Sequence, residues 1–144
     1  MIIAKMCEKH VPQVAALEAL CFNDPWSEKS VASELSNPLS LWLVAEEEGV
    51  VLGYIGSQTC LDETDMMNVA VHPDHRNKGI ATGLIVGLVE ALQKQGSRCL
   101  TLEVRASNEP AIRVYRALDF VEVGRRKNYY RNPKEDACIL RKEF

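Results

Sequence analysis

The chain has 144 residues, of which 47% are hydrophobic and 26% are charged, and its formal net charge is −3. This length predicts one domain over residues 1–144, and the acidic balance disfavours a protein whose main partner is nucleic acid. No apolar run is long enough to span a bilayer, and the N-terminus lacks a signal-peptide core, so we expect a cytoplasmic protein.

The first half of the chain predicts one strand, two helices and then three strands. Residues 1–6 form a short apolar strand, and residues 11–22 carry apolar side chains at helical spacing. Ser27 is a good N-cap for a second helix. Two strands then flank a turn at Glu48 and Gly49, and a third strand closes at Pro73.

The second half begins with the strongest helical pattern in the sequence. Apolar residues recur every four positions from Ile80 to Leu92, and Gly96 stands where such a helix ends. Residues 98–106 then alternate as a strand does, with Leu100, Leu102 and Val104 on one face and Thr101, Glu103 and Arg105 on the other.

A last helix and two strands complete the prediction. Residues 107–120 open with capping residues and carry Pro110 in the first turn, and two strands follow around the stretch "RNPKE". The predicted order is β-α-α-β-β-β-α-β-α-β-β. Such a mixed order indicates an α/β sheet with helices on both faces.

The five cysteines give no indication of a disulfide framework or a zinc site. Their number is odd and no Cys-x-x-Cys pair occurs, which suits reduced thiols, and we expect each to be a buried apolar residue. His72 and His75 lack further ligands nearby in the sequence, so we interpret them as surface residues and expect no metal.

The stretch "HRNKGIATG" has the features of an anion site, because it follows a strand and opens a helix. Helix N-termini leave unpaired N–H groups, Arg76 and Lys78 add positive charge, and Gly79 lets a ligand approach the backbone. The P-loop and the dinucleotide fingerprint are both absent. Taken alone, the stretch fits a solvated turn equally well.

Within that stretch, "RNKGIA" resembles the [RQ]-x-x-G-x-[GA] loop of the GNAT acyl-CoA N-acyltransferase superfamily. The segments "PWSEKS", "LEVRASN", "AIRVYRALDF" and "RRKNYYRNPKEDACIL" resemble its ribosomal-protein alanine N-acetyltransferase (RimI-like) branch. The resemblance covers nearly the whole chain. It implies a mixed, mostly antiparallel twisted sheet of about seven strands with about four helices on both faces, and acetyl-CoA as the co-substrate.

The resemblance also implies roles for individual residues. The backbone along the pantetheine and acetyl end would be that of Val69, Ala70 and Val71. N–H groups for the pyrophosphate would come from Asn77, Lys78, Gly79, Ile80, Ala81 and Thr82, with Arg76 beside them and Asn108 at the CoA arm. Glu103 would be the general base and Tyr115 the general acid, and the peptide site would be bordered by Tyr129, Tyr130 and the loop "NDPW".

The chemistry of acetyl transfer suits these residue types, although each has a structural alternative. A carboxylate can take the proton of the amine, and a phenol can protonate the departing thiolate. Glu103 could instead be a solvent-facing charge, Tyr115 a core residue and Asn108 only a helix cap. Tyr129 and Tyr130 could simply be strand packing.

Two positions depart from the family pattern. Asp119 stands where the family usually has the glycine of "LGF", and we expect modest strain there, because Asp tolerates the left-handed conformation less well than Gly. The stretch "RRKNYY" contains an additional lysine, Lys127, where the branch often has "RRNYY". This lysine puts the fine geometry of the peptide site in question.

The implied function is acetylation of a protein N-terminal α-amine, with an N-terminal alanine of a ribosomal protein as the branch's substrate. The alternatives are transfer to a lysine or a small amine, and a non-catalytic acyl-CoA-binding module. We expect a monomer or weak dimer without nucleic-acid or membrane contacts. Because Asp62, Glu63 and Asp65 precede the cofactor strand, we also expect a preference for basic residues after a small first residue.

Overall fold

Strands and helices follow one another in the predicted order, and the computed structural model describes all residues, 1–144. The strands are β1 (Ile2–Lys5), β2 (Ser40–Glu47), β3 (Val50–Cys60), β4 (Glu63–Val71), β5 (Cys99–Arg105), β6 (Val121–Tyr130) and β7 (Glu135–Glu143). The helices are α1 (Val11–Cys21), α2 (Glu28–Ser33), α3 (Ile80–Lys94) and α4 (Glu109–Ala117).

The helix ends use the capping residues that the sequence indicates. The Ser27 hydroxyl accepts a hydrogen bond from the backbone N–H of Ser30 at 3.1 Å, at the start of α2. Gly96 follows α3 with a φ of +88°, the left-handed conformation that commonly ends a helix. These local signals explain why the predicted boundaries agree with the structure.

The seven strands form one sheet in the order β1-β2-β3-β4-β5-β7-β6. Every neighbouring pair is antiparallel except β4 and β5, which run parallel. The predicted fold class, a mixed and mostly antiparallel sheet, is therefore confirmed. The single parallel pair lies in the interior of the sheet, where its chain connection is the long helix α3.

Each face of the sheet carries its own apolar core. The larger core packs the buried face of α3, including Leu84 and Leu88, against β2, β3 and β5 and against α4. The smaller core packs Val14 of α1 against Trp42 of β2 and Tyr54 of β3. Helices therefore cover both faces, as the sequence predicts.

Asp119 adopts the left-handed conformation expected of the position where the family has glycine. Its φ is +70°, and its carboxylate lies 3.9 Å from the ammonium of Lys142. That ammonium also donates to the carbonyl of Leu118 at 2.9 Å. The lysine therefore links this turn to β7.

The expectation of uniformly buried cysteines is wrong at two positions. Cys99 and Cys138 are buried and Cys21 is half-buried, but Cys7 and Cys60 are exposed. Cys60 is the last residue of β3, and Cys7 precedes a short 3-10 turn between β1 and α1. Both lie at the ends of elements, where the chain turns at the surface.

None of the four helices has the length and apolar character that crossing a bilayer requires. The structure likewise contains no group of three or more His, Cys, Asp or Glu side chains placed to hold a metal ion.

Candidate active site

The parallel strands β4 and β5 pair only at their beginnings. Glu63, Thr64 and Asp65 are in register with Cys99, Leu100 and Thr101, and the ladder ends there. Both strands then continue without pairing with each other, β4 to Val71 along β3 and β5 to Arg105 along β7. This separation opens a gap in the middle of the sheet, with one edge of β4 facing it.

A β-bulge lies in β4 at the point where the gap opens. Ser57 of β3 pairs with Met66 and Gly56 pairs with Asn68, so Met67 is an extra residue on β4. Such a bulge bends a strand and re-aims the residues that follow. Here the residues that follow are Val69, Ala70 and Val71, which line the gap.

The loop between β4 and α3 turns through two left-handed residues. Asn77 has a φ of +63° and Gly79 a φ of +77°, and the stretch from Arg76 to Gly79 is exposed. No side chain caps the N-terminus of α3. The first-turn N–H groups of α3, from Ile80 to Thr82, are therefore available to an anion.

Arg76 contacts the end of β4. Its guanidinium donates to the carbonyl oxygen of Val71 at 3.3 Å and contacts the sulfur of Cys21 in α1 at 3.7 Å. Arg76 thus holds the base of the loop while remaining exposed. Asn108 lies apart from this loop, where its side chain caps α4 by accepting from the N–H of Ala111 at 3.3 Å.

Glu103 lies on β5, two residues beyond the last residue paired with β4. Its Oε1 atom is 3.2 Å from Nε of Arg126 on β6. Its Oε2 atom is buried and has no hydrogen-bond partner in the chain. Glu103 is therefore not the freely solvated charge of the structural alternative, and one of its oxygens is buried without a hydrogen bond.

Tyr115 belongs to the larger core, on the sheet face opposite Glu103. Its ring is 5% exposed and packs edge-on against Phe120, with 5.7 Å between the ring centroids. Burial, together with the neighbouring Tyr130, raises the pKa of the Tyr115 phenol well above its ordinary value. The phenol therefore keeps its proton throughout the neutral range.

Tyr130 is the electrostatic neighbour of both candidate catalytic residues. Burial, followed by the charges of Glu103 and Tyr129, raises the pKa of Tyr130 to about 12. The guanidinium of Arg105 lies over its ring, 4.5 Å from the centroid. Glu103 and Tyr115 thus come from opposite faces of the sheet, and Tyr130 lies near each of them.

Strand β6 is irregular just before the neighbouring tyrosines Tyr129 and Tyr130. Arg126 pairs with Ala137 and Tyr130 with Glu135, so three residues of β6 oppose one of β7. The ring centroids of Tyr129 and Tyr130 are 5.1 Å apart. Lys127 lies in this irregular stretch, between Arg126 and the two tyrosines.

The two loops that the sequence places around the peptide site touch each other. The side-chain amide of Asn23, in the loop between α1 and α2, donates to the carbonyl of Asn132, in the loop between β6 and β7, at 3.3 Å. This contact links the two loops across the fold.

Comparison with known proteins identifies the family. The profile of the Acetyltransferase (GNAT) family matches residues 11–120. The [Ribosomal protein bS18]-alanine N-acetyltransferase of Escherichia coli strain K12 is 36% identical over 132 residues, which cover 90% of this chain and 88% of that protein. This chain belongs to the GNAT family of acetyltransferases.

Solved structures agree with this assignment and with its ribosomal-protein alanine N-acetyltransferase branch. The crystal structure of the ribosomal-protein-S18-alanine N-acetyltransferase from Escherichia coli matches with a TM-score of 0.90 and 34% identity, covering 99% of this chain and 92% of that one. NAA60 from Arabidopsis thaliana, solved with acetyl-CoA, matches in fold at 16% identity with a TM-score of 0.87, covering 99% of this chain and 98% of that one.

The acidic patch expected in this GNAT enzyme is largely neutralised. The carboxylate of Asp62 is 2.7 Å from Arg98, and that of Glu63 lies within 4 Å of Arg98 and of Arg141. Only Asp65 remains without an arginine partner, and its pKa is raised by burial and then by Glu103. A free acidic surface at these three residues is therefore not supported.

Two residues near the candidate site were not singled out by the sequence interpretation. Arg126 on β6 forms an ion pair with Glu103 on β5, and only the strand order of the sheet brings these two strands close. Glu18 is fully buried in α1, although it is a carboxylate. Its position four residues after Val14 places it on the apolar face of the helix, and an acidic residue on such a face was the signal available in the sequence.

Proposed function

We propose that this enzyme transfers the acetyl group of acetyl-CoA to the N-terminal α-amine of a protein, namely an N-terminal alanine of a ribosomal protein. The observation that carries the proposal is the Glu103 carboxylate, which has one oxygen without a partner beside the gap between β4 and β5. The names of the 31–36% identical relatives support the choice of acceptor.

The residues around the gap fit acetyl-CoA, the co-substrate of the GNAT family. The uncapped start of α3, with left-handed Asn77 and Gly79 before it, suits a pyrophosphate. A side chain added at Gly79 would meet no atom within 4 Å, so the space above this residue is open to a ligand. The exposed Asn108 would contact the CoA arm.

Acetyl-CoA supplies the acetyl group as a thioester. Glu103 would take a proton from the incoming ammonium, so that the nitrogen can form a bond to the acetyl carbon as the carbon–sulfur bond breaks. The backbone N–H groups of Val69 and Val71 on β4, which point away from β3, would stabilise the negative charge that develops on the thioester oxygen. Tyr115 would donate its proton to the departing sulfur. Tyr129 and Tyr130 would border the peptide.

The choice of an α-amine rests on proton affinity and on shape. An α-amine has a pKa near 7.7–8.0 and a lysine near 10.4, so deprotonation at pH 7 costs roughly 1 kcal/mol for the first and about 4.6 kcal/mol for the second. A single carboxylate base therefore has the easier task with an α-amine. The contact between Asn23 and Asn132 joins the two loops at the proposed peptide site, and such an enclosed entry would favour a chain terminus.

A pair of matched peptides tests this choice. We expect a peptide with N-terminal alanine and an internal lysine to be acetylated at its α-amine, and the same peptide with a blocked N-terminus to be acetylated at less than a hundredth of that rate. Released thiol gives the rate and mass spectrometry gives the position. Equal rates for the two peptides would establish the lysine alternative.

Replacing Gly79 by Val tests the cofactor loop. A β-branched residue is strained at a φ of +77° and would project into the open space above the loop, so we expect CoA affinity to fall at least tenfold, or about 1.4 kcal/mol. Gly96 provides a matched control, because it has a φ of +88° and equal space at the other end of α3.

In calorimetry, Gly96→Val should bind CoA as the wild type does while losing comparable thermal stability. A folded Gly79→Val protein with unchanged CoA affinity would remove the loop from the cofactor site. Equal weakening in both variants would assign the effect to α3 stability instead.

A further inference from the structure

Glu18 is a buried carboxylate held only by neutral donors. Its exposed fraction is 0%. Its Oε1 accepts from the backbone N–H of Trp26 at 3.1 Å and from the side-chain amide of Asn68 at 2.9 Å. Its Oε2 accepts from the hydroxyl of Tyr54 and, again at 2.9 Å, from Asn68. No arginine, lysine or histidine forms an ion pair with it.

A carboxylate is a costly way to fill this position. Removing a charge from water without an opposite charge nearby is unfavourable, and buried ionic groups can often be replaced by apolar ones without loss of stability. The surroundings of Glu18 are apolar, since Val14, Leu17 and Trp42 lie in the same core. Stability alone therefore does not account for a carboxylate here.

The donors connect Glu18 to both sides of the candidate active site. Trp26 ends the loop that contacts the opposite loop through Asn23. Asn68 is the residue directly after the extra residue of the β4 bulge, and it precedes Val69 in the strand that lines the gap. Tyr54 belongs to neither segment, because it lies in β3 and stacks on Trp42 at 5.8 Å.

We infer that Glu18 is a positioning residue that fixes the loop between α1 and α2 and the bulge of β4 relative to each other. The inference rests on the proposed function, and it assigns to Glu18 the alignment of the acceptor amine with the acetyl group. One carboxylate with both oxygens engaged sets both segments from the same point, so a shift of either segment breaks a hydrogen bond that no water can replace in this buried place.

Glu18→Gln selectively weakens the hydrogen bonding between residue 18 and Asn68. Gln can still accept from the N–H of Trp26, and the Tyr54 hydroxyl can rotate to accept from the new amide. The amide of Asn68 now faces both an acceptor and a donor, so it loses one of its two hydrogen bonds. We expect kcat/KM for the peptide to fall at least tenfold, mainly in kcat, with CoA affinity within twofold of the wild type.

Two further variants separate positioning from stability. Tyr54→Phe removes the donor that belongs to neither segment, so it should lower the melting temperature at least as much as Glu18→Gln while keeping kcat/KM within threefold. The double variant Glu18→Gln with Asn68→Asp restores an amide-to-carboxylate hydrogen bond, with the donor now at position 18 and the acceptor at position 68. It should recover at least part of the lost kcat. The single variant Asn68→Asp places two carboxylates face to face, so it should be slower than both Glu18→Gln and the double variant.

Amide hydrogen exchange adds a readout that does not need activity. The N–H of Trp26 should remain protected in Glu18→Gln and lose protection in Glu18→Ala. Wild-type kcat/KM in Glu18→Gln, equal kinetic losses in Tyr54→Phe, or no recovery in the double variant would each overturn the inference. If Glu18→Gln does not fold, Asn68→Ala replaces it with the same expected kinetics. Failure of the wild type to acetylate any α-amine would overturn the proposed function instead.

Discussion

Glu103→Gln should lower kcat for an α-amine substrate by about 10²–10⁴-fold, or roughly 3 to 5 kcal/mol, while acetyl-CoA still binds. Gln keeps the shape of the side chain and can still accept from Arg126 through one oxygen. It cannot take a proton. The acid limb of the pH–rate profile should therefore flatten, because the group that must be deprotonated is no longer present.

Asp65→Asn provides the matched control for charge. Asp65 faces Glu103, and its pKa is raised by burial and by that carboxylate, so the variant removes a negative charge from the same surroundings. If these negative charges only attract the peptide, losing either one should raise KM to a similar extent. If Glu103 is the general base, kcat should fall only in Glu103→Gln. Wild-type kcat in Glu103→Gln would favour the non-catalytic acyl-CoA-binding alternative.

Tyr115→Phe should slow turnover by a similar factor, about 10²–10⁴-fold, by removing the proton donor for the departing thiolate. The ring and its packing against Phe120 remain, so the melting temperature should change little. Burial and the neighbouring Tyr130 raise the pKa of this hydroxyl, so it keeps a proton that it could donate.

The pH dependence gives this prediction a sign. Burial raises the pKa of Tyr115, so the phenol is protonated throughout the neutral range and the wild type should show no decline from Tyr115 ionisation below about pH 10. The same burial penalises the charged thiolate, which makes proton donation to it easier. A folded Tyr115→Phe protein with wild-type kcat, or with a lost alkaline limb near pH 8, would contradict the assignment.

The order of elements could be predicted from the sequence because its signals are local. The four-residue spacing from Ile80 to Leu92 and the capping residues Ser27 and Asn108 each act within a few positions. The alternation in β5 likewise placed Glu103 on the face opposite the core. The resemblance to a family supplied the loop and the pair of catalytic candidates.

The remaining features depend on contacts between distant parts of the chain. The ion pair of Glu103 with Arg126 requires β7 to lie between β5 and β6, which no local pattern specifies. The pairing of Asp62 with Arg98 depends in the same way on the neighbouring beginnings of β4 and β5. The bulge at Met67 is a matter of register, which the alternation of a single strand does not reveal.

The gap between β4 and β5 ties the folding equilibrium of the chain to the supply of its co-substrate. A ligand that fills the gap binds only the folded chain, because the unfolded chain has neither strand edge in place. Acetyl-CoA at a hundredfold excess over its Kd would therefore add about 2.7 kcal/mol to the free energy of unfolding. The lifetime of the enzyme in a cell would then follow the acetyl-CoA level, and destabilised variants would be lost first when that level falls.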